Sequence, residues 1–177
     1  MTSMRERILA ELATRLETPP VGITKPAGLA VHRFAMVPVE DDQLPAAVVY
    51  WTACDQAGKT FLAATAADRL LEYHLSVRVE VRASGATDAV LESLIQYVRQ
   101  VVFTDPSLGG LATAAREDGL QLDAIAKSRI LWAAAVELVF SFLEEPLEWP
   151  GEDSPGILAR VDFPTHPTEQ TLTVPTP

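Results

Sequence analysis

Between Leu71 and Ala83 apolar and polar residues alternate without an error. The odd positions are Leu71, Tyr73, Leu75, Val77, Val79, Val81 and Ala83; the even ones are Glu72, His74, Ser76, Arg78, Glu80 and Arg82. A period of two predicts a β-strand with one buried face and one wet face. Thirteen residues at ~3.3 Å each span ~43 Å. A compact chain of this size is only ~40 Å across, so the strand crosses the whole domain, bends or projects. A projecting apolar face needs a partner, and a neighbouring subunit is a natural one. A one-residue slip would turn every apolar side chain to water, so the register is strongly specified.

The same reasoning places the flanking elements. Ser3-Met4-Arg5-Glu6 reads as a capping box, and Ile8, Leu9, Leu12 and Leu16 come next at helical spacing. Thr18-Pro19-Pro20 ends that helix. Leu29 to Val37 predicts a strand stopped by Pro38. Pro45 introduces a second, Ala46 to Ala53, rich in Val, Tyr and Trp. Asp55-Gln56-Ala57-Gly58-Lys59 reads as a turn, and Phe61 to Ala67 as a loop or short strand. After the long strand, Ser84-Gly85-Ala86-Thr87 turns the chain, with Thr87 as N-cap and Asp88 at the positive helix end. Val90, Leu91, Leu94, Ile95, Val98, Val101 and Val102 then line one face of a helix running through Phe103. At ~25 Å this helix is shorter than the strand it covers. Asp105-Pro106-Ser107-Leu108-Gly109-Gly110 closes it.

Leu111 to Arg116 carries no clear pattern, and Gly119 to Ile125 alternates weakly. In Ile130 to Leu143 a length of 14 allows a helix. The large residues Ile130, Trp132, Val136, Leu138, Phe140 and Phe142 all fall on even positions, which favours a strand. Its odd positions are also mostly apolar, so both faces are candidates for burial. From Glu144 onward seven prolines prevent regular structure, while Trp149, Ile157, Leu158, Val161 and Phe163 supply apolar anchors. The expected organisation is an α/β (α+β) domain over 1–143, with a mixed, mostly antiparallel sheet and two main helices on one face. A proline-rich extended arm occupies 144–177 and is suited to docking on a neighbour.

Composition narrows the function. The net charge is −10, which argues against gripping nucleic acid, since that needs a basic footprint. One cysteine, Cys54, rules out an internal disulfide and points to folding in a reducing cytoplasm. No apolar run approaches the ~20 residues that span a bilayer. His32, His74 and His166 are scattered in unlike contexts and do not suggest a metal site. Asp41-Asp42, Glu144-Glu145 and Glu152-Asp153 lie in turns or near the tail, where solvation is the simple reading rather than acid–base catalysis. Leu108-Gly109-Gly110-Leu111 comes after a helix and lacks a lysine, so it reads as a C-cap rather than a phosphate loop. Neither an enzyme nor a cofactor is expected.

The order of parts resembles a family. A capped N-terminal helix precedes Leu44-Pro45-Ala46, which leads into a strand, and then comes the Val/Arg alternating strand. The amphipathic helix, the Asp-Pro-Ser-Leu-Gly-Gly-Leu turn from Asp105 to Leu111 and a final apolar strand complete the order. This is similar to the tail terminator or tail completion proteins of long-tailed bacteriophages, the minor-tail-protein-U-like group, over roughly Met1 to Leu143. The Leu-Gly-Gly turn is the most specific element, and the arm is longer than the family core requires.

The resemblance implies a structural virion protein, assembled in the host cytoplasm. It implies a homo-oligomeric ring, usually of six copies, at the head-proximal end of the tail tube. Its partners would be the tail tube protein, the head–tail connector or stopper, and double-stranded DNA passing through without sequence-specific binding. The candidate subunit interface is Leu71, Tyr73, Leu75, Val77, Leu108, Gly109, Gly110, Trp149 and Phe163. Asp41, Asp42, Glu144 and Glu145 are candidates for an acidic lumen or turn. Duplex DNA carries one charge per ~1.7 Å, and an acidic wall would keep it from sticking. The rival expectation is a small α/β ligand-binding or regulatory domain whose apolar strand faces line a pocket.

Overall fold

A computed structural model of the chain describes residues 3–33, 43–62, 69–84, 89–126 and 130–144. The chain divides into two units, Met1–Pro146 and Leu147–Pro177, and every described element belongs to the first. In chain order these are α1 (Met4–Glu17), β1 (Ala30–Arg33), β2 (Ala46–Leu62), β3 (Arg69–Ser84), α2 (Ala89–Thr104), β4 (Ala114–Ala126) and β5 (Ile130–Glu144). The five strands form one sheet in the order β1-β2-β3-β5-β4. Only β1 and β2 run parallel; the other three pairings are antiparallel. The fold is α+β with a mixed, mostly antiparallel sheet and two helices, as the hydrophobic pattern predicts.

The period-two segment becomes the central strand β3. Its odd residues Leu75, Val77, Val79, Val81 and Ala83 are all buried, while its even residues stay half-exposed. Opposite them in register lie Phe140, Leu138, Val136, Ala134 and Trp132 of β5. Both helices pack on this face: Ile8, Leu12 and Leu16 of α1 and Leu94, Ile95, Val98 and Val101 of α2 share one core cluster with the odd residues of β3. α1 begins as expected, with the Ser3 hydroxyl accepting from the Glu6 N–H at 3.3 Å. The Glu6 carboxylate takes the Arg33 guanidinium at 2.7 Å, which ties α1 to the end of β1.

The other face of the sheet has an uncommon construction. Ala46, Val48, Ala133, Ala135 and Val139 lie there and are buried. Their neighbours across the ladders are Glu80, Arg82 and Ser76 of β3. Small apolar residues sit beside longer charged ones across the ladders of this face. Arg82 holds Glu80 on this surface, and Arg78 bonds the amide oxygen of Gln121 and lies 3.6 Å from Glu137. The apolar odd positions Ala133, Ala135 and Val139 of β5 are therefore buried, as their composition suggests.

Three expectations need correction. Residues Asp55 to Lys59 do not form a turn; β2 continues through them to Leu62. Gln56 pairs with Tyr73 and Thr60 with Leu71, so Ala57, Gly58 and Lys59 bulge opposite Glu72 alone. The long ladder with β3 outweighs local turn propensity, and the bulge absorbs the turn-forming residues. Phe61 and Leu62, read as the start of a loop or short strand, are the end of β2, and residues 63–67 lie outside the described residues. The unpatterned and weakly alternating residues after Leu111 form one continuous strand, β4, with Asp118 as the extra residue between Glu117 and Gly119. That bulge shifts the phase by one residue, so no single period runs from Ala114 to Ala126 and the two halves do not read as one strand. Thr87 and Asp88, the expected helix cap, lie outside the described residues, as do Asp41, Asp42, Glu145, Trp149 and Phe163. Among the described residues no helix is long and apolar enough to cross a membrane.

Candidate assembly surface

Three features mark the candidate surface: a braced turn, a half-buried strand end and the two flanks of the sheet. The turn comes first. α2 ends at Thr104, and Asp105 organises the turn beyond it. Its Oδ1 accepts from the Ser107 hydroxyl at 2.5 Å and the Ser107 N–H at 3.1 Å; its Oδ2 accepts from the Gly109 N–H at 2.9 Å. Arg15, projecting from α1, donates to the same Oδ2 at 2.9 Å and to Glu11 at 2.7 Å. Four donors on one carboxylate hold its pKa well below the ordinary range, with the Ser107 hydroxyl the largest cause. The Arg15 guanidinium remains charged: burial opposes its charge, but the hydrogen bonds to Glu11 and Asp105 together outweigh that cost and push its pKa up.

The chain then takes positive φ three times in succession, at Leu108 (48°), Gly109 (69°) and Gly110 (87°). Glycine tolerates this freely; leucine does not. Leu108 is held there because its side chain is buried in the core, at 1% exposure. Gly109 and Gly110 are exposed. Between the turn and α1 lies an open hollow of about 430 Å³, lined by Arg7, Glu11 and Thr14 on one side and Leu108, Gly109 and Leu111 on the other. Its walls carry both charges.

The second feature is the half-buried end of β3. The helix-facing residues of β3 are fully buried only from Leu75 onward; Leu71 and Tyr73 are half-buried. Tyr73 stacks on Phe142 of β5 with ring centroids 5.5 Å apart and planes 19° from parallel. Of the proposed interface residues, Leu75 and Val77 are thus occupied by the subunit's own core, as is Leu108. Leu71, Tyr73, Gly109 and Gly110 retain accessible surface, and Glu144 pairs with Leu71 at the end of β5.

The third feature is the edges. β4 borders the sheet on one side. On the other, β1 covers only Ala46 to Val49 of β2, and among the described residues no strand pairs with β2 beyond that point. Large apolar side chains lie exposed on both flanks: Trp51 of β2 at 36%, Leu120 and Leu122 of β4 at 39% and 63%. Arg99 of α2 clamps β4 through both oxygens of Glu117, at 2.9 and 2.7 Å. That pairing holds the Glu117 carboxyl below its usual pKa and raises that of Arg99.

The residues weighed for chemistry are scattered. His74 lies on the charged face, 3.9 Å from Glu72, and His32 sits on β1. Cys54 is a free thiol on β2 whose pKa burial pushes up, the opposite of what a nucleophile needs. Among the described residues no group of three His, Cys, Asp or Glu side chains could hold a metal ion. Sequence reasoning missed Arg15, Tyr97 and the Arg99–Glu117 clamp. Only Arg15 left a signal, its spacing of four from Glu11; the rest are long-range. No protein-family model matches this chain, and no curated protein matches it.

Proposed function

We propose that this chain is a ring-forming structural subunit of the tail-terminator type, set at the head-proximal end of a phage tail tube. There it would stop tube growth and join the tail to the head connector. The observation that carries the reading is the order of parts: a capped helix, an overlong central strand, an amphipathic helix and an Asp-Pro-Ser-Leu-Gly-Gly turn. That turn is braced across the subunit by Arg15. The half-buried end of β3 and the exposed Leu120 and Leu122 of β4 suit a subunit completed by its neighbours. The net charge of −10 suits a lumen through which DNA slides without binding. In this reading the chain turns over no substrate and needs no cofactor.

The rival reading requires the apolar strand faces to line a pocket. That face is filled by the subunit's own helices, with Val79, Val81, Val98 and Val101 all inaccessible. Light scattering and then negative-stain imaging test the proposal. A ring of several copies, about six, is expected, with no retention on duplex DNA at physiological salt. A clean monomer at high concentration that shows a ligand-dependent melting shift would sink it in favour of the rival.

A further inference from the structure

We infer that Asp118, in the bulge of β4, is a spontaneous modification site, where the main chain isomerises through a cyclic imide to isoaspartate with water as the only co-reactant. The inference does not rest on the ring reading. Its chemistry begins with the sequence. The chain has no asparagine, and Asp118-Gly119 is its one Asp-Gly pair. In the reaction the backbone nitrogen of Gly119 attacks Cγ of Asp118. A C–N bond forms, the C–O bond to the carboxyl hydroxyl breaks, and water leaves with the amide proton. Water then adds to the main-chain carbonyl of Asp118, the C–N bond there breaks, and the nitrogen regains its proton. The chain now runs through Cβ and Cγ, with one more backbone atom and no change in mass or oxidation state. A β-carbon on the attacking residue would crowd the ring, and glycine has none.

The fold leaves this pair accessible. Glu117 pairs with Leu138 and Gly119 with Glu137, so Asp118 is the residue that the ladder skips. A bulged residue is unpaired and the ladder around it is disrupted, which eases the main-chain rotation that ring closure needs. The Asp118 side chain is 57% exposed, and the Arg116 guanidinium 3.7 Å from its Oδ1 is exposed as well. Such a pair holds a carboxyl loosely. Asp105 is the contrast. The residue after it is Pro106, which has no N–H to give up, and its carboxylate is held by Arg15, Ser107 and Gly109. Asp123, further along β4, pairs with Ala133 and precedes Ala124, which carries a β-carbon.

The consequence falls on the Arg99 clamp. Glu117 stands immediately before the bulge, and its carboxylate takes Arg99 at 2.9 and 2.7 Å. An added backbone atom at position 118 lengthens β4 between that clamp and Leu120, which pairs with Val136. The clamp and the second half of the ladder then no longer both keep their register, and the first half of β4 loosens.

The test ages the folded chain for weeks in warm neutral buffer. Isoaspartate is read by methyl transfer from S-adenosylmethionine with an isoaspartyl methyltransferase. It is located by mapping with the Asp-N endoprotease, which does not cut before isoaspartate. Label is expected at position 118 and not at Asp123, at a rate in the folded chain close to that in urea. In Gly119→Ala a β-carbon would meet only Glu137 Oε2, at 3.5 Å, so the variant keeps the fold by circular dichroism. It is expected to isomerise at least fivefold more slowly than wild type. Hydrogen exchange from Ala114 to Glu117 should quicken in aged wild type and not in aged Gly119→Ala. Label that forms only in urea, or equally in wild type and Gly119→Ala, overturns the assignment. Label at position 118 with exchange along β4 unchanged overturns the effect on the clamp.

Discussion

Arg15 and Asp105 stand 90 positions apart and meet at 2.9 Å, joining the last turn of α1 to the turn that ends α2. Asp105 also accepts two bonds from Ser107 and one from Gly109, so its charge organises a loop rather than decorating a surface. Asp105→Asn is expected to cost about 1–2 kcal/mol in chemical denaturation, held to that range because the carboxylate is partly solvated. An acid whose folded-state pKa is lowered stabilises the fold above its unfolded value and loses that contribution as pH falls. The gap between wild type and Asp105→Asn should therefore be widest above about pH 5 and narrow steadily below pH 4. A gap independent of pH would show that the charge is not what matters.

Gly109→Ala tests the bracing separately. The backbone there has φ of 69°, and a β-carbon would meet Nη2 of Arg15 at 3.3 Å. That guanidinium is pinned by Glu11 and Asp105, so it yields reluctantly. A loss of about 1–2 kcal/mol is expected, against about 1 for Gly22→Ala, where φ is 92° but the space is open. In an Arg15→Ala background the excess at Gly109 should vanish, and thermal melts of the four variants would settle it.

The Tyr97 hydroxyl donates to the Leu16 carbonyl at 2.6 Å, satisfying one of the free carbonyls at the end of α1. Burial, with the charge of Glu17 nearby, pushes its pKa up to about 12. Tyr97→Phe is expected to lose about 1–2 kcal/mol. A raised folded-state pKa gives stability that is complete below the unfolded value near 10 and lost as pH rises toward 12. The advantage of wild type over Tyr97→Phe should therefore hold to pH 9 and shrink above 10, as urea titrations at stepped pH would reveal.

A double-mutant cycle on Arg99→Ala and Glu117→Ala should return a coupling of about 0.5–1.5 kcal/mol, above the median for surface pairs because the contact is bidentate. The pair also anchors α2 to the edge strand. Hydrogen exchange along β4 should quicken in Arg99→Ala more than along β3. Equal effects on both strands would mean that the clamp supports the whole domain rather than its edge.

Much of the fold was legible because its elements announce themselves locally. The alternation through Val77 and Val81 needs no knowledge of neighbours, and neither does the helical stripe of Leu94, Val98 and Val101. Ser3 caps α1 through a contact three residues away. Legibility failed where a long-range ladder overrode a local signal. Ala57, Gly58 and Lys59 carry turn chemistry, yet the pairing of β2 with β3 on both sides of them carries the strand through. Asp118 breaks β4 into two halves of opposite phase, so no single period marks it as one strand. The Gly-Gly turn was visible, but its purpose was not: Arg15 sits in an ordinary stretch of α1, and only folding brings it to Asp105.

By itself the sequence determined which residues form each face of β3, β5 and the two helices, because burying one face of a periodic element is a local matter of side-chain spacing. It also determined the charge and the absence of a second cysteine. The tertiary structure alone decided the strand order, which places β5 between β3 and β4 and leaves β4 at an edge. It decided too that Leu75 and Val77 are spent inside the subunit while Leu120 and Leu122, on the same face of the sheet but at its edge, stay exposed. The reason is that pairing depends on which apolar surfaces meet across long chain separations, and no run of neighbouring residues encodes that by itself.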